Sequence, residues 1–345
     1  MQPIDIAHQY PYQINKVEPL GNGFINDTYL VSTDSKPFVL QKINHRVFPK
    51  PEQIMANLAA LSQHARFNND QNISLTIPEL LQTTQETTFI CDDEGNYWRA
   101  LSFIDNSQSL EEITDLTQAE QVGFALAQFH RLTYHLDSAK LHDTLPGFHI
   151  APQYYAHYQQ IKTQTTVVKN DFCADFIDQH QYFVNDLELA KAQGKLPLRT
   201  IHGDPKLNNF LFDKDSQLIV SIVDLDTVKP GLIHYDIGDC LRSCCHNIVT
   251  GSFDLDICKV VLNSYLGEMA TALTLADYDY LFSAIRLIPF ELGIRFYTDY
   301  LAGNRYFKVT EPEQNLIRAQ SQFRLCESIL AQEHDIRLLI KNLQD

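Results

Sequence analysis

The chain has 345 residues, 44% of them hydrophobic, which is enough to bury one large core or two medium ones. Its formal charge of -16 disfavours non-specific binding to nucleic acid or to anionic lipid, because both need a basic surface. Its first residues show no signal-peptide pattern, and no segment stays apolar for the length of a membrane span. Seven cysteines, an odd number, indicate a reducing compartment rather than a disulfide framework. These features predict a cytoplasmic protein without nucleic acid or membrane partners.

The first hundred residues have the pattern of strands separated by turns. The predicted strands are 17–20, 28–31, 38–43, 87–90 and 97–104. A glycine loop, Gly21-Asn22-Gly23, lies between the first two strands. A helix is predicted to begin at Pro51, because Ile54, Leu58 and Leu61 recur at helical spacing.

After residue 105 the hydrophobic period becomes helical, starting with Val122, Leu126 and Phe129. The helical pattern is interrupted over residues 198–228, and long helices are expected near 254–267, 275–301 and 311–341. The sequence therefore predicts an α+β fold. Residues 1–105 would form a small antiparallel sheet lobe, and residues 106–345 a larger, mainly helical lobe.

The segment after the predicted strand 199–201 carries the first candidate catalytic residue, Asp204. Gly203 and Pro205 flank it and favour a fixed, non-helical backbone, which suits a group that accepts a substrate proton. An aspartate alone is more often a turn or helix-capping residue, but His202 and Asn209 nearby favour function. His202 is interpreted as a structural residue that orients the loop.

Two oxygen-bearing side chains near Asp204 are candidate metal ligands. Asn209 offers a neutral oxygen, and Asp224, at the end of an apolar strand, offers a charged one. Mg²⁺ is usually held by one or two such groups while nucleotide phosphates and water complete its shell. Asn208 could serve instead of Asn209 or cap the loop. Asp226 is equally compatible with a second metal ligand and with a structural hydrogen-bonding role.

The segment from His202 to Asn209 reads H-G-D-P-K-L-N-N and resembles the H-G-D-x-x-x-x-N signature of the aminoglycoside phosphotransferase and choline kinase superfamily. That resemblance implies a bilobal protein-kinase-like fold that uses ATP and Mg²⁺. It makes Asp204 the catalytic base and Asn209 and Asp224 the metal ligands.

The same resemblance assigns nucleotide-binding roles in the first lobe. Gly21 and Gly23 would cover the nucleotide, Lys42 would pair with the α- and β-phosphates, and the backbone of Phe103 and Ile104 would bind adenine. The loop lacks the Lys-Ser/Thr ending of a P-loop.

Other parts of the kinase pattern are less complete. The acidic partner of Lys42 is left unassigned, since Glu52 lies very early in the following helix and Asn57 occupies its middle. Asp236 and Asp239 are interpreted as braces of the catalytic loop. Cys240, Cys244 and Cys245 are interpreted as buried free cysteines, because they lack the paired spacing of a zinc site.

Three further segments resemble the N-acetylhexosamine 1-kinase branch of this superfamily. They are residues 21–29, residues 224–228 and residues 291–301, with Tyr306 and Phe307 after the last. The resemblance implies that Arg295 and Tyr306 contact the sugar and that Thr227 lies nearby. Arginine donors and a tyrosine ring also suit a neutral sugar on physical grounds. The glycine loop departs from this branch at Phe24, where its members often carry His, which leaves the acceptor open.

The sequence thus predicts a monomeric, ATP-dependent and Mg²⁺-requiring kinase. Its predicted acceptor is the anomeric hydroxyl of N-acetylglucosamine or N-acetylgalactosamine. Two alternatives remain: a kinase for choline, an aminoglycoside or another small alcohol, and a catalytically silent kinase-like binding protein.

Overall fold

The structure is a computed structural model that describes residues 1–21, 25–67 and 73–344. Its first part contains α1 (Pro3–Ala7), β1 (Ile14–Pro19), β2 (Asp27–Thr33), β3 (Phe38–Ile43), α2 (Pro51–Phe67), β4 (Ile90–Cys91) and β5 (Tyr97–Ser102). The strands form an antiparallel sheet in the order β1-β2-β3-β5-β4.

The two faces of this sheet carry different side chains, since successive residues of a strand point to opposite sides. The outer face holds Phe38, Leu40 and Trp98, which form a small core with Ile6 and Tyr10 from the N-terminal segment. The inner face carries Gln41 and Ile43 of β3 and Arg99 of β5 and faces the rest of the molecule. The sheet is therefore covered on both sides.

The remainder of the chain is mainly helical. Its helices are α3 (Leu116–Thr133), α4 (Ala151–Gln164), α5 (Asp171–His180), α6 (Asp186–Ala192), α7 (Ile233–Cys244), α8 (Leu255–Met269), α9 (Leu275–Leu301), α10 (Gln314–Ala331) and α11 (Glu333–Gln344). Short strands lie between them: β6 (Ser107–Gln108), β7 (Arg199–Ile201), β8 (Phe210–Asp213), β9 (Ile219–Ile222), β10 (Lys229–Gly231), β11 (His246–Asn247) and β12 (Ser252–Phe253). The predicted α+β fold with a small sheet lobe and a larger helical lobe is confirmed.

Helix α9 forms the centre of the helical lobe. It begins at a capping box in which Thr274 and Asp277 exchange hydrogen bonds, and the Asp277 carboxylate also accepts two hydrogen bonds from Arg199 of β7, at 2.8 and 3.0 Å. Gly293 lets α10 approach closely, because a Cβ atom there would lie 2.4 Å from the ring of Phe323. Helix α9 is thus fixed both to the strand before the Asp204 loop and to its helical neighbours.

Two predicted elements differ from the structure by more than the position of their ends. The predicted helix over 311–341 is two helices, α10 and α11, separated at Gln332, whose side-chain amide donates to the Phe253 carbonyl at 3.0 Å. No glycine or proline lies near this break, so the hydrophobic periodicity of the sequence predicts one continuous helix. The predicted strand 87–90 shrinks to β4, because Thr83 and Thr87 bond to each other in a turn, with 2.8 Å between their hydroxyls.

None of the helices in the described residues is both long and apolar enough to span a membrane.

Candidate active site

A tight loop after β7 presents Asp204. Gly203 adopts a φ of +89°, and a Cβ atom there would lie 2.7 Å from the Thr227 carbonyl oxygen, so the position needs glycine. The carboxylate of Asp236, from α7, accepts hydrogen bonds from the backbone N–H groups of His202 at 2.7 Å and Gly203 at 2.8 Å. Asp236 therefore braces the loop in the way that the sequence predicts.

His202 links this loop to the end of β9. Its Nδ1 accepts the Asp204 N–H at 3.2 Å, so its Nε2 carries the proton and donates to the Val223 carbonyl at 3.0 Å. The imidazole is buried and is occupied on both nitrogens. His202 orients the loop, in agreement with its predicted role.

The two predicted metal ligands lie on neighbouring segments. Asn209 donates from its side-chain nitrogen to the Asp204 carbonyl at 2.7 Å, which leaves its side-chain oxygen for another partner. The Val223 N–H donates to the Asn209 carbonyl at 2.8 Å and so holds Asp224 beside it. Asp224 has a φ of +65°, a conformation that costs energy for a non-glycine residue and is typical of functional sites. This donor set fits a Mg²⁺ ion that also binds nucleotide phosphates.

Lys206 lies between the two carboxylates. Its Nζ is 2.6 Å from Asp204 Oδ2 and 3.8 Å from Asp224 Oδ2. Burial lowers the pKa of Lys206, but the charges of Asp204 and Asp224 outweigh burial and raise it. Burial raises the pKa of Asp204, but the charges of Lys206 and Arg242 outweigh burial and hold that pKa below its usual value. Sequence reasoning missed Lys206, although its place two residues after Asp204 was a usable signal.

Helix α7 adds a second charged pair to this region. Arg242 Nε donates to Asp239 Oδ1 at 2.7 Å, and both side chains line the same cavity as Asp204. Asp239 thus pairs with a residue of its own helix, and its predicted bracing of the Asp204 loop stays a prediction.

All three predicted substrate residues line one cavity with Asp204. The cavity has a volume of about 290 Å³ and is lined by Thr227, Arg295 and Tyr306. The hydroxyl of Thr227 donates to the His202 carbonyl at 2.9 Å, so Thr227 also supports the catalytic loop. The structure thus places the residues predicted to bind the substrate and the predicted base around one cavity.

An aromatic cage surrounds the guanidinium of Arg295. Its carbon lies 5.0 Å from the ring centroids of Phe148 and Tyr154 and 5.6 Å from that of Phe307. Such contacts hold a cation in place without using its N–H donors. Those donors are available to a molecule in the cavity.

The structure does not bring Lys42 to this cluster. Lys42 lies on the outer face of the sheet, with its Nζ 5.7 Å from the ring centroid of Trp98. It lines a different cavity, on the edge of the sheet lobe. The inner face at this level carries Gln41 of β3 and Arg99 of β5, which are register partners.

Arg99 and Asp226 form a buried ion pair between the two lobes. The other Asp226 oxygen accepts a hydrogen bond from the side chain of Asn26 at 2.7 Å, and Arg99 also donates to Gln41. Both carboxylate oxygens of Asp226 are occupied, which favours the structural alternative over a second metal ligand. Glu52, the acidic residue at the start of α2, is exposed and forms no ion pair with Lys42 in the described residues.

Asn57 occupies the middle of α2 and connects that helix to the helical lobe. Its side-chain nitrogen donates to the carbonyls of Val228 and His142, each at 2.9 Å. The kinase pattern would place the acidic partner of the strand lysine in this helix. Here the side-chain amide of Asn57 binds backbone carbonyls instead.

The other predicted nucleotide-binding residues lie around the connection between the lobes. Gly21 has a φ of +68° at the start of the glycine loop, whereas Gly23 and Phe24 lie outside the described residues. Phe103 and Ile104 join β5 to β6, and the Ile104 carbonyl accepts the Ser107 hydroxyl at 2.7 Å. Their contact with a nucleotide stays a prediction.

The bilobal fold, the braced Asp204 loop and the adjoining cavity together define a kinase-like phosphotransferase that acts on small molecules. Residues 16–265 match the phosphotransferase enzyme family, and the chain belongs to that family.

Solved structures share its fold over nearly the whole chain. An aminoglycoside phosphotransferase from Alicyclobacillus acidocaldarius has a TM-score of 0.67 at 14% identity, over 99% of this chain and 97% of the other. A microcompartment-associated aminopropanol kinase has a TM-score of 0.64 at 16% identity, over 95% of this chain and 97% of the other. An amicoumacin kinase in complex with AMP-PNP, Ca²⁺ and Ami has a TM-score of 0.59 at 13% identity, over 94% and 96%. At these identities the likeness shows the fold alone.

Proposed function

We propose that this protein is an ATP-dependent, Mg²⁺-requiring kinase that phosphorylates a sugar hydroxyl. The proposed acceptor is the anomeric hydroxyl of N-acetylglucosamine or N-acetylgalactosamine, and the product is the 1-phosphate. The observation that supports this most is the single cavity that joins Asp204 to Arg295 and Tyr306.

The proposed chemistry starts at Asp204. Its ionised carboxylate accepts the proton of the acceptor hydroxyl, and Lys206, at 2.6 Å, keeps that carboxylate ionised and in place. Asn209 and Asp224 would hold Mg²⁺, which would neutralise charge on the transferring phosphate when bound. Catalysis of this kind rests mainly on positioning and electrostatics, and correct alignment can contribute about 7 to 11 kcal/mol.

The acceptor end of the cavity supports a neutral, polar substrate. Arg295 is held by aromatic rings and can donate to hydroxyl or amide oxygens, and Tyr306 is about half exposed at the wall. Lys308 and Arg318 also line the cavity and offset part of the charge of its carboxylates, which weakens the attraction of the cavity for a cationic acceptor.

The amine-bearing acceptors remain the main rival. The solved relatives include kinases named for aminopropanol and aminoglycosides, and Asp239 and Glu291 add negative charge to the cavity. Arg242 compensates Asp239 at 2.7 Å, which weakens this alternative.

A phosphate-transfer screen tests the proposal. The purified protein would be incubated with ATP, Mg²⁺ and, separately, N-acetylglucosamine, N-acetylgalactosamine, choline, aminopropanol and kanamycin, with ADP release and sugar 1-phosphate measured. We expect turnover with the N-acetylhexosamines and none in the Asp204→Asn variant. Turnover confined to an amine acceptor would contradict the sugar assignment. Tight ATP binding without transfer to any acceptor would favour a silent binding protein.

A further inference from the structure

The cavity that Asp204, Arg295 and Tyr306 line also contains a carboxylate that has no role in the proposed phosphate transfer. Glu291 of α9 is 1% exposed and lines the cavity, and its Oε2 has no hydrogen-bond partner in the part of the chain that the structure describes. A buried carboxylate oxygen without a partner is costly in a folded protein. Because Glu291 lines the cavity, a donor on the molecule that fills the cavity would satisfy this oxygen.

His149 balances the charge of Glu291. Its Nε2 lies 2.7 Å from the Gly203 carbonyl and must donate to it, and its Nδ1 lies 3.3 Å from Glu291 Oε1. The Nδ1 makes no hydrogen bond within the described residues, so its contact with Glu291 is electrostatic, and the nearby carboxylate favours the doubly protonated imidazolium. Burial lowers the pKa of His149, but the Glu291 charge outweighs burial and raises it.

The surroundings hold His149 in one orientation. Its ring stacks on Tyr235 at 5.3 Å between centroids and lies 4.1 Å from that of Phe148. Its φ is +66°, an uncommon conformation for a histidine that a loop maintains only when the neighbours demand it. His149 therefore ties Glu291 to the carbonyl of Gly203, directly before Asp204.

Arg295 follows Glu291 by one helical turn of α9. Residues four apart lie on the same face of a helix, with about 5 to 6 Å between their Cβ atoms. The cavity wall therefore offers an acceptor atom at Glu291 and donors at Arg295 over a short distance, about the width of a sugar ring. The negative charge of Glu291 is already compensated by His149.

We propose that Glu291 is a specificity-determining residue that accepts a hydrogen bond from a neutral hydroxyl or amide N–H of the acceptor. His149 is the positioning residue of Glu291. Its positive charge compensates the carboxylate and so weakens the binding of an ammonium group there. The site thereby selects acceptors that carry a neutral donor beside the reacting hydroxyl. This inference rests on the proposed sugar kinase function.

The test compares N-acetylglucosamine with glucosamine, which keeps the sugar ring but carries an ammonium group. Steady-state kinetics would be measured for the wild type, Glu291→Leu, Glu291→Gln and His149→Gln. Glu291→Leu removes the acceptor atom and should raise the KM for N-acetylglucosamine about tenfold to a hundredfold while leaving the KM for ATP unchanged. Glu291→Gln keeps an acceptor oxygen and should lose less.

His149→Gln still donates to Gly203 but leaves the Glu291 charge uncompensated. We expect this variant to raise the ratio of kcat/KM for glucosamine to that for N-acetylglucosamine. Asp279→Asn, an exposed change on the same helix, is the matched control. Unfolding temperatures would show that each variant is folded, and Glu291→Gln, which keeps the side-chain shape, serves if the leucine variant is not.

The outcomes separate this inference from the function on which it rests. If the wild type phosphorylates N-acetylglucosamine while Glu291→Leu leaves its KM unchanged, the role of Glu291 is overturned alone. An unchanged glucosamine ratio in His149→Gln overturns the charge compensation. A wild type that prefers glucosamine or kanamycin overturns both Glu291 selectivity and the sugar assignment.

Discussion

Asp204 and Lys206 form the smallest unit of the proposed mechanism. The two side chains are 2.6 Å apart, and each favours the charged form of the other. In the proposed mechanism Asp204 must be ionised to accept a proton, and Lys206 must stay charged to keep it so. The pair keeps both groups ready before any substrate is bound.

Replacing Asp204 with Asn tests the base directly. The amide keeps the size of the side chain but cannot accept the hydroxyl proton, so we expect kcat to fall about 10² to 10⁴-fold. Nucleotide binding should persist, because Asn209 and Asp224 are unchanged, and ADP binding measured by calorimetry would show this. Near-normal turnover in the variant would remove Asp204 from the mechanism.

Replacing Lys206 with Met tests the electrostatic part of the pair. Lys206 opposes burial and lowers the pKa of Asp204, so its removal should raise that pKa. Since the ionised carboxylate is the active form, the acid limb of the kcat against pH profile should move to higher pH. Lys214→Met, at an exposed lysine, is the control. An acid limb that stays in place would show that Lys206 does not set the ionisation of Asp204.

At the scale of elements, α7 fixes the loop that presents Asp204 through one buried carboxylate. Asp236 accepts hydrogen bonds from two backbone N–H groups and from His130 Nε2 at 2.9 Å. Burial raises the pKa of Asp236, but these donors outweigh it and lower that pKa. The helix and the loop therefore act as one unit only while Asp236 is ionised.

This brace predicts an acid sensitivity. Because the pKa is lower in the folded state, Asp236 stabilises the fold above the pKa of an ordinary aspartate, and that contribution is lost as the pH falls through the lower folded value. Asp236→Asn should reduce the free energy of unfolding at pH 7 by about 3 kcal/mol and flatten its dependence on pH below about 4. Denaturant titrations at several pH values would measure both, with the exposed Asp93→Asn as control. Equal slopes for wild type and variant would refute the brace.

Elements and motifs were more predictable from the sequence than the direction of individual side chains. Strand β3 was predicted with its observed bounds, and the pattern from His202 to Asn209 indicated the loop that presents Asp204. The assignment of Lys42 depended on which face of β3 meets the helical lobe. That is decided by the packing of α1 on the other face, which the sequence of β3 does not contain.

Contacts between distant parts of the chain were also beyond sequence reasoning. Arg99 had the ordinary pattern of a hairpin strand residue, and His149 that of a loop residue. Their partners, Asp226 and Glu291, belong to other elements, and only the fold brings them together. Both pairs are buried, and a buried charge pair leaves no local periodicity by which it could be detected.

At the scale of the whole molecule, the Arg99–Asp226 pair connects the two lobes. Both side chains are about 98% buried, and Asn26, beside the glycine loop, donates to the same carboxylate at 2.7 Å. Asp226 lies two residues after the predicted metal ligand Asp224. The ion pair therefore holds the sheet lobe in a fixed position relative to the segment that carries Asp224.

A double-mutant cycle separates the stability of this connection from its effect on activity. Asp226→Leu leaves the Arg99 charge buried without its carboxylate and should cost about 3 to 5 kcal/mol of unfolding free energy. Adding Arg99→Met removes that unpaired charge, and apolar replacements of a buried ion pair are often nearly neutral, so most of the stability should return. Activity should not return, because Asn26 has lost its acceptor and the lobes their alignment. We expect kcat/KM for ATP in the double variant to stay about tenfold to a hundredfold below the wild-type value, since small displacements of reacting groups have effects of this size.

The exposed pair Arg66–Glu79, changed in the same way, should alter neither the unfolding free energy nor kcat/KM much. A double variant with wild-type kcat/KM would mean that the ion pair only stabilises the fold and that the alignment of the lobes for catalysis comes from other contacts, such as those of Asn57.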